Sequence, residues 1–103
     1  MKKNLAFLAA ALAFAATPAL ADPEAAMNKA GCMACHAKDK KMIGPSFKDI
    51  AAKYKGQDAT AQLIEKVRKG GSGVYGPVPM APNGPDKISD ADLKSAVEFI
   101  LKS

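Results

Sequence analysis

The chain has 103 residues with no tryptophan, two cysteines, one histidine and a formal net charge of +5. A chain of this size builds one small domain whose limited core calls for a staple, such as a tightly held apolar group. It carries no long polybasic run and no aromatic-interleaved basic patch, so nucleic-acid binding has no support. No acid–base pair, nucleophile or phosphate loop offers conventional catalysis a candidate.

The N-terminus has the layout of a secretory signal. Met1-Lys2-Lys3 is a short basic start, Leu5 to Ala16 is an unbroken apolar run, and Ala19-Leu20-Ala21 offers small residues for a signal peptidase. Cleavage is expected after Ala21. The apolar run is short for a permanent bilayer span, and Pro18 follows it at once, which disfavours the alternative of an uncleaved anchor. Residues 1–21 are thus expected to be a signal peptide and 22–103 a mature periplasmic domain. Loss of Lys2 and Lys3 lowers the formal charge from +5 to +3. That modest excess suits acidic protein partners, or simple solubility.

Asp22-Pro23-Glu24 reads as a helix start, with a capping Asp, Pro at the first helical position and an acid in the first turn. This helix should stop near Gly31, with Met27 packed on other helices. Cys32-Met33-Ala34-Cys35-His36 follows, the C-x-x-C-H pattern for covalent attachment of haem c. Two thiols three residues apart add across the two porphyrin vinyl groups, and His36 can present a nitrogen to the iron. A thioredoxin-like dithiol wants a βαβ context, which the chain lacks. A structural zinc needs a second Cys/His pair, and a disulfide this short constrains little chain.

Phe47, Ile50, Ala51 and Tyr54 recur at i, i+3, i+4 and i+7 and predict a second helix ended by Gly56. Asp58 is expected to cap a third, with Leu63, Ile64 and Val67 inward and Gly70-Gly71 as its stop. From Gly70 to Ile88 the chain is too rich in Gly and Pro for helix. Pro77, Pro79, Pro82 and Pro85 fix φ at four places, so this loop is expected to be stiff and extended. A loop this long in a small domain points to function. It carries Met80, the candidate sixth ligand of the iron. Met27 lies upstream of the attachment motif, Met33 inside it, and Met42 too close behind it to cross the ring easily. Ser89-Asp90-Ala91-Asp92 resembles a capping box. Leu93, Ala96, Val97, Ile100 and Leu101 then form the apolar stripe of a last helix. No period-2 run is long enough for a strand, so the class is all-α.

Three segments in this order, Gly31-Cys-Met-Ala-Cys-His36, Met42-Ile-Gly-Pro-Ser-Phe47 and Gly73-Val-Tyr-Gly-Pro-Val-Pro-Met-Ala-Pro-Asn83, resemble the small bacterial class I monohaem cytochromes c of the c-551/c-552 type. The resemblance spans nearly all of residues 22–103. It implies an all-α fold of about four short helices around one covalent haem. By that resemblance Cys32 and Cys35 bind the haem covalently, and His36 and Met80 are the axial iron ligands. Pro45 accepts the N–H of the ligand imidazole, and Asn83 hydrogen-bonds near the methionine sulfur. Tyr75 stands where the family usually has tryptophan, near a propionate. Lys66 stands where an arginine is often seen; it is near a propionate or freely solvated. The implied role is a one-electron carrier between redox protein partners, a donor and an acceptor such as a nitrite reductase or terminal oxidase. A monomer is expected. Lys38, Lys40 and Lys41 could ring the haem edge as a steering patch or serve solubility.

Overall fold

The computed structural model describes residues 22–103, so the expected signal segment over residues 1–21 lies outside the described residues. Four α-helices make the domain: α1 (Pro23–Ala30), α2 (Phe47–Lys53), α3 (Thr60–Lys69) and α4 (Asp90–Leu101). A single 3-10 turn, Cys32–Ala34, follows α1. Among the described residues there is no strand, only one isolated antiparallel bridge between Gly71 and Met80.

Local chemistry explains most of the boundaries. The Asp22 carboxylate accepts the Glu24 N–H at 3.1 Å, Pro23 opens α1, and Gly31 closes it at φ 90°. Only a residue without Cβ adopts that left-handed conformation cheaply. Ser46 caps α2 by accepting the Asp49 N–H at 3.0 Å. Ser89 caps α4 by accepting the Asp92 N–H at 3.1 Å. α2 ends at Lys53, earlier than its apolar spacing predicts. Tyr54 is its C-cap and stays buried, while Gly56 (φ 80°) serves the turn beyond.

The start of α3 corrects the sequence reading. Its N-cap is Ala59, which makes no side-chain capping bond, and Asp58 is exposed one residue upstream. Ala59 is 1% exposed, so burial of its methyl, not a polar cap, decides where this helix enters the core.

Helix α4 is the hub and packs against α1, α2 and α3. Its Leu93, Ala96 and Val97 join Met27 of α1, Phe47 of α2 and Ile88 in one core. Fully burying a side chain of the Leu, Val, Phe or Met kind contributes about 1.5–3 kcal/mol. Leu63, Ile64 and Val67 of α3 are only half-buried against this core, as are Ile100 and Leu101 of α4. Leu63, Val67 and Ile100 also line a large cavity that the helices enclose together with the Gly70–Ile88 loop.

Candidate haem site

The attachment segment is built on one tight turn. After Gly31 reverses the chain, the Cys35 and His36 N–H groups both return to the Cys32 carbonyl, at 3.2 and 3.0 Å. Positions three and four apart in a helical turn share a face. Cys32, Cys35 and His36 accordingly line the same cavity, whereas Ala34 does not. The two sulfurs are free and not bridged to one another. Burial pushes the Cys32 thiol up from its ordinary value.

His36 is aimed by the next segment. Gly44 N–H donates to the Cys35 carbonyl at 2.8 Å, and Phe47 N–H donates to the Ala37 carbonyl at 2.9 Å, folding residues 42–48 back on the motif. The imidazole Nδ1 then meets the Pro45 carbonyl at 2.7 Å. A carbonyl can only accept, so Nδ1 carries the proton and Nε2 keeps its lone pair. Phe47 stacks on the ring at a centroid distance of 5.6 Å. The backbone of Gly44 also presses close: a Cβ there would stand 2.7 Å from the His36 Cε1.

Met80 reaches the same cavity from the Gly70–Ile88 loop. The loop is not simply extended, as its prolines suggest. It turns back so that Gly71 and Met80 exchange both backbone hydrogen bonds, at 3.0 and 2.8 Å, and Gly73 N–H donates to Gly76 at 2.8 Å. Gly70 (φ 70°) lies so close to the Met80 carbonyl that any Cβ would collide with it, and would also stand 2.9 Å from Pro82 N. The other methionines sit as their sequence positions suggest. Met27 is 1% exposed in the core, Met33 packs against it, and Met42 faces solvent.

Asn83 lines the cavity, and its amide Nδ2 donates to the Ala81 carbonyl at 3.1 Å and the Val67 carbonyl at 3.5 Å. These bonds fix the far end of the methionine segment on α3. Tyr75 also lines the cavity; partial burial, then the neighbouring Tyr54 and Asp49, raise its phenol above the ordinary value. It therefore stays a hydroxyl donor at neutral pH. Lys66 borders the cavity, with its Nζ over Gly71. Lys41 is at the cavity wall too. Lys38 instead pairs with Glu24 at 3.8 Å and stands over the Phe99 ring at 5.4 Å, and Lys40 is exposed.

Sequence reasoning did not single out Gly44 or Arg68, and took Gly70 only as a helix stop. The further role of the two glycines is revealed by what approaches them, the His36 ring at Gly44 and the Met80–Pro82 backbone at Gly70. Arg68 had a signal: it is the single arginine in a chain whose other cationic side chains are lysines. Its planar fork suits paired acceptors that an ammonium cannot span.

These residues fit a covalently held porphyrin. The cavity is about 720 Å³, within the roughly 300–1,000 Å³ of cofactor-sized sites. Its wall carries both thiols, a histidine with Nε2 unengaged by Pro45, and a thioether sulfur, set among apolar side chains such as Leu63, Val67 and Ile100. Gly44 and Gly70 leave room where side chains would displace the two candidate ligands.

The chain is similar to known proteins over most of its length. Residues 18–100 match the family model described as cytochrome c oxidase, cbb3-type, subunit III. Cytochrome c2 of Rubrivivax gelatinosus is 50% identical over 84 residues, covering 81% of this chain and 99% of the relative. Cytochrome c-551 of Pseudomonas aeruginosa is 44% identical over 81 residues, 78% of this chain and 75% of the relative. The crystal structure of wild-type Nitrosomonas europaea cytochrome c552 superposes with a TM-score of 0.69 at 43% identity, covering 76% of this chain and 95% of that one. With its four-helix fold, its C-x-x-C-H turn and these relatives, the chain belongs to the small class I cytochromes c of the c-551/c-552 type, whose members carry one covalently bound haem c.

Proposed function

We propose that this protein is a periplasmic one-electron carrier whose haem is held by Cys32 and Cys35, with His36 and Met80 as the axial ligands. The observation that carries the reading is the convergence of His36, oriented through Pro45, and Met80, gripped by Gly71, on one cavity that also holds both thiols. When bound, the haem iron supplies a one-electron couple between its ferrous and ferric states. The chain's residues do the rest. The Pro45 carbonyl keeps the proton on Nδ1, so that Nε2 would be the nitrogen to hold the iron. Met80 offers a neutral thioether, which favours the ferrous state and raises the potential relative to a second imidazole. With both His36 and Met80 holding it, the iron would be occupied by protein ligands, which favours the reading of a carrier over that of a catalyst. Tyr75 and Lys66 are donors at the cavity wall suited to an anionic propionate.

No helix among the described residues is long and apolar enough to cross a membrane. The signal at residues 1–21 is read as removed, leaving a carrier that moves between its donor and acceptor. Of the lysines after the motif, Lys41 is best placed to steer an acidic partner, because it alone of the three borders the cavity.

The experiment is the mass of protein matured in a periplasm, before and after acid–acetone extraction. A mass equal to residues 22–103 plus one haem, unchanged by extraction, is expected. A haem-free mass would overturn the reading.

A further inference from the structure

Arg68 lies on the last turn of α3, with its side chain 17% exposed, and faces away from the two candidate iron ligands. One of its guanidinium nitrogens donates to the Asn83 carbonyl at 3.2 Å and to the Ile88 carbonyl at 2.8 Å. The other pairs with the Asp90 carboxylate at 2.5 Å. The three acceptors belong to different parts of the chain: the end of the methionine segment, the last residue before the Ser89 cap, and the first residue of α4. The neighbouring Val67 carbonyl accepts the Asn83 N–H at 3.0 Å. Met80 itself is held by Gly71, just past the end of α3, through two backbone bonds. The methionine segment is thus pinned at Met80 by Gly71 and after it by the last turn of α3, and Arg68 is the side chain that closes the second pin.

We propose that Arg68 is a positioning residue for Met80: it locks the 81–88 segment of the loop onto α3 and α4, and so keeps the thioether in place to hold the iron. This rests on the reading of Met80 as a ligand. Charge-assisted hydrogen bonds to backbone carbonyls contribute more than neutral ones. The carbonyls are fixed by the fold and Ile88 is buried, so their loss is not made good by solvent without opening the loop. The Asp90 arm is secondary, because that carboxylate is 94% exposed and water screens the pair. Lysine is an incomplete substitute: both carbonyls accept from the one nitrogen that the rigid guanidinium holds between them, and an ammonium on a flexible stem is not pre-set there.

Two readouts on the haem-loaded protein test the proposal: cyanide binding to the ferric form, and amide hydrogen exchange of Met80 and Asn83 against Leu93 in the core of α4. Arg68→Ala is expected to accelerate cyanide binding by about ten- to hundredfold, the range that follows from losing one charged hydrogen-bonded group. It should deprotect Met80 and Asn83 by a similar factor while Leu93 loses much less. Arg68→Lys should recover part of both effects, Asp90→Asn should change them less than threefold or so, and Lys69→Ala should match wild type. If Met80, Asn83 and Leu93 lose protection equally, Arg68 only stabilises the whole fold and the proposal falls. If the loop amides open and cyanide binding does not change, the clamp does not act on the ligand and the proposal also falls. The ligand reading fails separately, by wild-type ferric protein lacking a sulfur-to-iron charge-transfer band or by Met80→Ala retaining it.

Discussion

At the residue scale, the site depends on a few atoms whose alternatives can be named. His36 has one correct tautomer because its Nδ1 faces a carbonyl at 2.7 Å. Its tilt is limited by Gly44, where a Cβ would stand 2.7 Å from the ring. Gly44→Ala is therefore expected to cost about 1–3 kcal/mol in denaturant titration, the usual range for overpacking, and to shift the midpoint potential through the displaced ring. Met80→His is expected to keep a low-spin spectrum and lower the potential by on the order of 0.1 V, within the ~0.8 V span that axial ligands command; redox titration checks it. Tyr75 offers a pH signature. Burial, with Tyr54 and Asp49 beside it, raises its phenol, so the folded form holds that proton longer than the unfolded one. The resulting stabilisation is present below the ordinary phenol range and is lost as pH rises through the raised value. Tyr75→Phe should remove that alkaline fall in stability. Ultraviolet titration should show Tyr75 ionising after a solvated tyrosine.

At the element scale, the caps separate genuine from apparent signals. Ser46 and Ser89 each accept a backbone N–H from the first turn, whereas Asp58 makes no such bond at α3. Ser89→Ala is expected to cost about 1 kcal/mol and Asp58→Ala less than about 0.5 kcal/mol by urea denaturation. This contrast also shows what could be read in advance. α1, α4 and their caps follow from signals within a few residues: Asp22-Pro23, Gly31, Ser89 and the Leu93–Leu101 stripe. The start of α3 was misplaced because a polar residue at Asp58 looked like a cap, while the residue at the N-cap is the buried Ala59, whose burial no local pattern announces. The methionine loop was legible as a stiff connection from its prolines. Its return onto Gly71 was not, because that pairing joins positions nine apart with no hairpin pattern between them. Arg68 spans still further, to Asn83, Ile88 and Asp90. Long-range acceptors of this kind leave no local periodicity.

At the scale of the molecule, four short helices meet through α4 yet leave a cavity of about 720 Å³ between them and the loop. Leu63, Val67 and Ile100 are only half-buried by protein, so a large share of the apolar surface of α3 and α4 faces that cavity. A domain this small has little margin to spare. The haem-free chain is accordingly expected to fold poorly. Cys32→Ala with Cys35→Ala should lose most of its helical circular dichroism, and a cooperative haem-free transition would show the helix core to be sufficient alone. The cluster of sequence motifs made the cofactor and its attachment points legible, because covalent haem chemistry demands fixed residue types at fixed spacing. What holds the ligands in place is distributed over backbone carbonyls and glycines and becomes visible only in three dimensions.

Whether His36 and Met80 share one iron is read from the red sulfur-to-iron charge-transfer band of the ferric protein in wild type and in Met80→Ala, with Met27→Leu and Met42→Leu beside them. The band should be present in wild type and in the Leu variants. It should be absent in Met80→Ala, which should also bind cyanide fast. Its persistence in Met80→Ala would assign the sulfur to another methionine and contradict the account.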